Sequence, residues 1–198
     1  SLCTRAIWID DGRLVADGDP HELVRAYLAT TRSEIGTTSL ADRNDRTGPG
    51  PIRFTSLSIR DGLGRPIETV SSGETVEFLL SYTTNGEKLT HVSPFIYIRD
   101  QFDHPLLVLW SQLTAEDFQS LPPEGQLVCQ VPKFPLGTGT YVIDVGATVN
   151  SPTVRDSGDE VKNAALLEVM TGDFFGTGRS APSPIVFQCQ HSWTSETP

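Results

Sequence analysis

Cysteine is scarce in this chain, and the three present, Cys3, Cys129 and Cys189, lie far apart and are odd in number. No C-x-x-C pair or mixed Cys/His spacing accompanies them, which excludes a disulfide scaffold and a zinc site of the usual spacing. Isolated free thiols suit a reducing cytoplasm. Positive charge is also in deficit: 15 Lys and Arg stand against 25 Asp and Glu, a formal net charge of -10. Phosphate backbones and anionic membrane surfaces both need a cationic surplus, so nucleic acid and bare lipid are excluded as partners. No apolar run approaches the roughly 18 residues of a membrane span, no signal-peptide pattern is present, and Asn150-Ser151-Pro152 fails as a glycosylation acceptor. These absences predict a cytosolic chain that touches a membrane only through a partner.

Catalytic signatures are missing as well. An ATPase needs G-x-x-x-x-G-K-[ST] to cradle phosphates. The nearest segment, Gly176-Thr177-Gly178-Arg179-Ser180, has Arg for Lys, lacks the first glycine and reads as a loop. His21, His91, His104 and His191 are scattered, with no H-E-x-x-H pair or G-x-S-x-G elbow beside them. Asp100 to His104 reads as a polar turn rather than a metal site, by the turn preferences of Asp. Asp156, Asp159 and Glu160 sit in a Gly/Ser-containing stretch and read as a solvated excursion rather than a glycosidase dyad. No enzyme activity, no metal and no cofactor are therefore predicted.

What is present suits a soluble globular protein: 198 residues, 37% hydrophobic and 20% charged, enough for one well-buried core with accessory elements or for two small domains. The first 28 residues hold two short apolar runs, Ala6 to Ile9 and Leu14 to Ala16, around the turn cluster Asp10-Asp11-Gly12-Arg13, which predicts a hairpin. A helix follows, capped by Asp19 with Pro20 in its first turn and Glu22 completing a capping box; Leu23, Val24, Tyr27 and Leu28 form its stripe. Residues 30–51 have few apolar side chains and end in a Gly/Pro cluster, the makeup of a linker. Beyond residue 50 lie 17 acidic against nine basic residues, so most of the negative charge falls there.

From residue 52 onward apolar runs alternate with turn signals at Asp61-Gly62, Ser72-Gly73, Asn85-Gly86 and Gly137-Thr138-Gly139. Strands are expected at about 52–60, 67–71, 75–83, 92–100, 106–110, 126–131, 140–149, 164–170 and 184–190, with one helical turn at 115–120. The expected fold class is all-β, an antiparallel β-sandwich, immunoglobulin-like or jelly-roll-like, preceded by a hairpin and one α-helix. The expected domains are 1–29, a linker at 30–51 and the sandwich at 52–193.

The opening pattern C-x-R-A-I-W-I-x-x-G-R-L-V-x-x-G-x-P-x-E-L-V-x-x-Y resembles the segment that closes the nucleotide-binding domain of ABC transporters. In exporters of bacterial polysaccharide this ending is followed by a linker and a separate β-sandwich, the order found here. The chain is thus similar to the C-terminal region of Wzt-like ATP-binding subunits. That resemblance implies non-catalytic recognition of an exported O-antigen polysaccharide, at its terminal or modified end, by residues 52–193, with residues 1–29 a remnant of the ATPase. It also implies a transmembrane permease subunit reached through the parent ATPase, a homodimer, and a cytoplasmic place at the inner membrane. The competing function is a dimerisation or docking module that does not touch sugar.

Alternation assigns faces. Val76, Phe78, Leu80 and Tyr82 are expected inward on one strand, and Tyr141, Ile143 and Val145 on another. The charge of Arg99 puts its face outside, with Tyr97, leaving Ile96 and Ile98 for the core. Leu127, Cys129 and Val131 are expected inward, and Gln126 and Gln130 outward. Sugar rings are held by flat apolar faces with planar polar side chains beside them. Given the implied function, the candidate carbohydrate-binding residues are Tyr97, Arg99, Gln130, Asp144 and Thr148 on exposed sheet surface, with His104 and Trp110 flanking. Each has a simpler structural reading, Trp110 as a core or sheet-edge residue.

Overall fold

The computed structural model describes residues 4–10, 12–20, 22, 23, 26, 39–150, 157–182 and 184–195. These fall in two compact units, Ser1–Thr38 and Ser39–Pro198. In the first, strands β1 (Ala6–Asp10) and β2 (Arg13–Gly18) pair antiparallel, and Arg5 is ion-paired with Asp17. The amide of Glu22 donates to the Asp19 carboxylate at 3.2 Å, the first half of a helix cap. Val24, Tyr27 and Leu28 of the expected helical stripe lie outside the described residues. Ile7, Ile9, Leu14 and Val15 are exposed, so the hairpin carries an apolar surface.

The second unit is a β-sandwich. One sheet has the order β4 (Thr69–Ser71), β10 (Ser157–Met170), β9 (Gly139–Val149), β6 (Val92–Arg99) and β7 (Pro105–Trp110); the other is β3 (Ile52–Asp61), β5 (Val76–Thr84) and β8 (Glu124–Val131). All neighbours pair antiparallel except β4 with β10. Phe54, Ile52, Val76 and Phe78 from the smaller sheet meet Ile96, Ile98, Ile143, Val145 and Leu167 from the larger in one core cluster. Each such side chain contributes roughly 1.5–3 kcal/mol by leaving water. The expected inward sets of β5 and β9 and the isoleucines of β6 are buried.

Four local features differ from the sequence reading. β10 begins at Ser157 instead of about 164, because the acidic stretch read as solvated is paired to β9. Asp159 is fully buried, held by Arg46 at 3.1 Å and Arg53 at 2.9 Å. Residues 39–51, which read as linker, are packed in the sandwich unit: Leu40 is buried, and Thr47 exchanges backbone hydrogen bonds of 3.0 and 2.9 Å with Glu160. Their polarity is satisfied internally, so composition alone resembles a solvated segment. The helical turn expected at 115–120 is instead a 3-10 turn over Ser111–Thr114, stopped by left-handed Ala115 at φ 57°, and 184–190 contributes one bridge, Leu136 to Phe187.

Candidate functional site

Five of the seven candidate residues, Tyr97, Arg99, Trp110, Asp144 and Thr148, share the outer face of the five-stranded sheet. The pairing of β6 with β9 sets Tyr97 opposite Asp144, and that of β6 with β7 sets Phe95 opposite Trp110. Phe95 points outward yet is only 1% exposed. Its ring occupies the space over Gly146 on β9, where a Cβ would overlap it. Around it stand Tyr97, with ring centroids 5.6 Å apart, and Trp110, at 6.4 Å, both edge to face. Such packing locks the rings at fixed angles.

Beside the aromatic group lies a charged one. Arg99 donates to both oxygens of Asp144, each at 2.6 Å, and to Asn163 Oδ1 at 3.1 Å; it is also ion-paired with Asp103. Asn163 reaches this position because β10 changes register between Val161 and Ala165, and the bulge carries Asn163 at φ 51°. The Asn163 amide then donates to Asp144 at 2.8 Å. Arg43 anchors the bulge, donating to the carbonyls of Asn163 at 3.1 Å and Lys162 at 2.8 Å. Arg43 and Asn163 escaped the sequence reading because no local pattern marks a bulge or an arginine over a hundred residues away.

The expected exposure of this face needs correction at two positions. Asp144 is 4% exposed and Thr148 is not exposed at all. Asp144 is covered by its own partners; Thr148 is buried along with its cross-strand neighbour Ser93. Tyr97, Arg99 and Trp110 are half-buried. Two buried polar atoms on this face, Trp110 Nε1 and Thr148 Oγ1, have no hydrogen-bond partner among the described residues.

The remaining two candidates lie off this face. Gln130 is on the outer face of the other sheet, donating to Glu77 at 2.9 Å. His104 is exposed in the β6–β7 turn, its ring 2.9 Å from the Asp100 carboxylate. Burial works to raise the Asp100 pKa, but the amides of His104 and Phe102 and the His104 ring outweigh it and hold the carboxyl below its ordinary range. A concavity of about 620 Å³ opens between the sheet edges at β7 and β8; Leu80, Ile96, Leu109, Phe118 and Leu127 make it mainly apolar, and the candidates Trp110 and Gln130 both line it. Among the described residues no cluster of His, Cys, Asp and Glu has the makeup of a metal site. No described helix is long and apolar enough to cross a membrane.

Known proteins offer two kinds of likeness to this arrangement. A family model described as the Wzt C-terminal domain matches residues 43–179. A solved structure titled as the crystal structure of the C-terminal domain of wzt aligns with a TM-score of 0.61 at 18% identity, covering 78% of this chain and 90% of that one. Identity at that level speaks to fold alone. The CARDB domain of a Pyrococcus furiosus protein covers 62% of this chain and 97% of its own at 13% identity, with a TM-score of 0.35. None of the curated proteins matches this chain.

Proposed function

The chain belongs to the Wzt C-terminal domain family, and from that premise we propose that the outer face of its five-stranded sheet recognises an exported bacterial surface polysaccharide. The observation that carries the reading is the meeting, on one face, of the Phe95–Tyr97–Trp110 aromatic group with the Arg99–Asp144–Asn163 polar group. A pyranose ring lies against the half-buried Tyr97 and Trp110, while its hydroxyls hydrogen-bond the planar guanidinium and amide groups beside them.

In this reading the domain recognises O-antigen without catalysis and couples selection to an ABC transporter. Two copies act together, joined to the permease through the parent ATPase on the cytoplasmic side, and residues 1–29 are the end of that ATPase. Calorimetric titration with delipidated polysaccharide fragments from the producing cell tests it. Saturable binding is expected, weakened about tenfold by Tyr97→Ala and by Arg99→Ala, as the loss of one aromatic or charged contact implies. Absence of saturable heat with wild-type protein overturns the reading and leaves a module for dimerisation or docking, for which the apolar cleft of about 620 Å³ between the sheet edges is the available surface.

A further inference from the structure

The outer face of the five-stranded sheet holds a cation, Arg99, whose charge the protein has already matched. Its Nε and Nη2 donate to the two oxygens of Asp144 at 2.6 Å, Nη2 donates also to Asn163 Oδ1 at 3.1 Å, and Nη1 is ion-paired with Asp103. One guanidinium thus faces two carboxylates. The Arg99 side chain is 13% exposed and that of Asp103 is 81% exposed, so an approaching ligand meets the acid first.

The neighbouring strands add to the imbalance. Tyr141, Ile143 and Val145 of β9 are buried in the core, so the positions between and beside them face outward. On β10, Glu160 lies opposite Gly146 and Glu168 opposite Thr140, which puts both acids on the outer face. Thr140 donates to Glu168 at 3.0 Å and Thr47 to Glu160 at 3.5 Å; neither acid is ion-paired among the described residues. The strands β4, β7 and β9 contribute no cation. Lys162 on β10 is exposed at the bulge, one charge against those two acids, and Arg43 behind it is matched by Asp45.

A ligand carboxylate or phosphate brought to Arg99 gains little from a charge already matched, and Asp103 repels it. A hydroxyl meets the opposite case. It donates to a carboxylate oxygen of Asp103 and accepts from the guanidinium, and it carries no charge to desolvate. We propose that the outer face takes a saccharide free of carboxylate and phosphate groups, and that Asp144 and Asp103 set this preference by matching the charge of Arg99. It rests on the glycan reading above and names the class of sugar that the same face accepts.

The full chain is titrated calorimetrically with short polysaccharide fragments released from the producing cell by mild acid and lightly substituted in two ways: with O-carboxymethyl groups, and with O-carbamoylmethyl groups, an uncharged twin of the same shape. The anionic twin is expected to bind about fivefold more weakly at about 20 mM salt, and the ratio of the two Kd values to approach one at about 0.5 M, where the Debye length shrinks to a few ångströms. Asp103→Asn removes the exposed charge at a position whose φ of 70° suits asparagine, and the low-salt ratio is expected to fall to about twofold. The ratio is read within one protein, so a general loss of stability or affinity does not move it. Equal binding of the twins at low salt, or tighter binding of the anionic one, overturns the preference while the glycan reading stands. A ratio that Asp103→Asn leaves unchanged overturns the role given to Asp103. If wild type binds neither twin nor the unmodified fragment, the glycan reading fails and this preference with it.

Discussion

Asp159 has no exposed surface, yet its carboxylate accepts from Arg46, from Arg53 and, at 2.9 Å, from the amide of Phe54. Arg46 also donates to the carbonyls of Leu40 and Phe54, so one charge pair ties residues 39–47 to β3 and β10. Replacing the acid by its amide preserves shape but leaves two guanidinium groups without a counter-charge. Asp159→Asn is expected to lose about 3–5 kcal/mol of stability, measured by urea unfolding at neutral pH; a loss below about 1 kcal/mol would mean that the pair behaves as a solvated one. Asp159 read as solvated because Asp156, Ser157 and Gly158 precede it, and its partner Arg46 lies 113 residues away. Local composition carries no trace of a charge matched at that separation. Tyr97 and Arg99 were legible for the opposite reason, since alternation along β6 places them together outside.

At the scale of elements, the larger sheet presents its aromatic group because a glycine on β9 faces a phenylalanine on β6. The alternation of β9 was legible, and so was Gly146, but their significance depends on which strand lies beside β9. The tail shows the same dependence. Residues 184–190 have the apolar character of a strand, yet only a bridge and two backbone hydrogen bonds form, since Gly137 lets the Ile185 carbonyl approach where a side chain would stand. Gly137→Ala is expected to displace the tail, costing about 1–3 kcal/mol and opening residues 184–195 to protease. Limited proteolysis followed by mass spectrometry reads the cut; cleavage no faster than in wild type would show that the tail holds by its side chains instead.

For the whole molecule, the sandwich has its own core cluster drawn from both sheets, and Ser39–Pro198 forms a compact unit by itself. Residues 39–198 alone are expected to unfold in a single cooperative transition with the same midpoint as the full chain, by differential scanning calorimetry. A lowered midpoint would show that the first 38 residues contribute to the sandwich's stability. The all-β class, the inward faces of β5 and β9 and the capped start of the N-terminal helix were determined by sequence alone, because period-two alternation, turn residues and capping side chains act between near neighbours. Tertiary structure decided what depends on distant partners: the burial of Asp159, the bulge that brings Asn163 to Arg99, the covering of Asp144 and Thr148, and the placing of Gln130 on the other sheet, where it shares a cleft with Trp110. Each of these follows from which strands are adjacent and where a register shift falls, and residues scores of positions apart make that choice through packing.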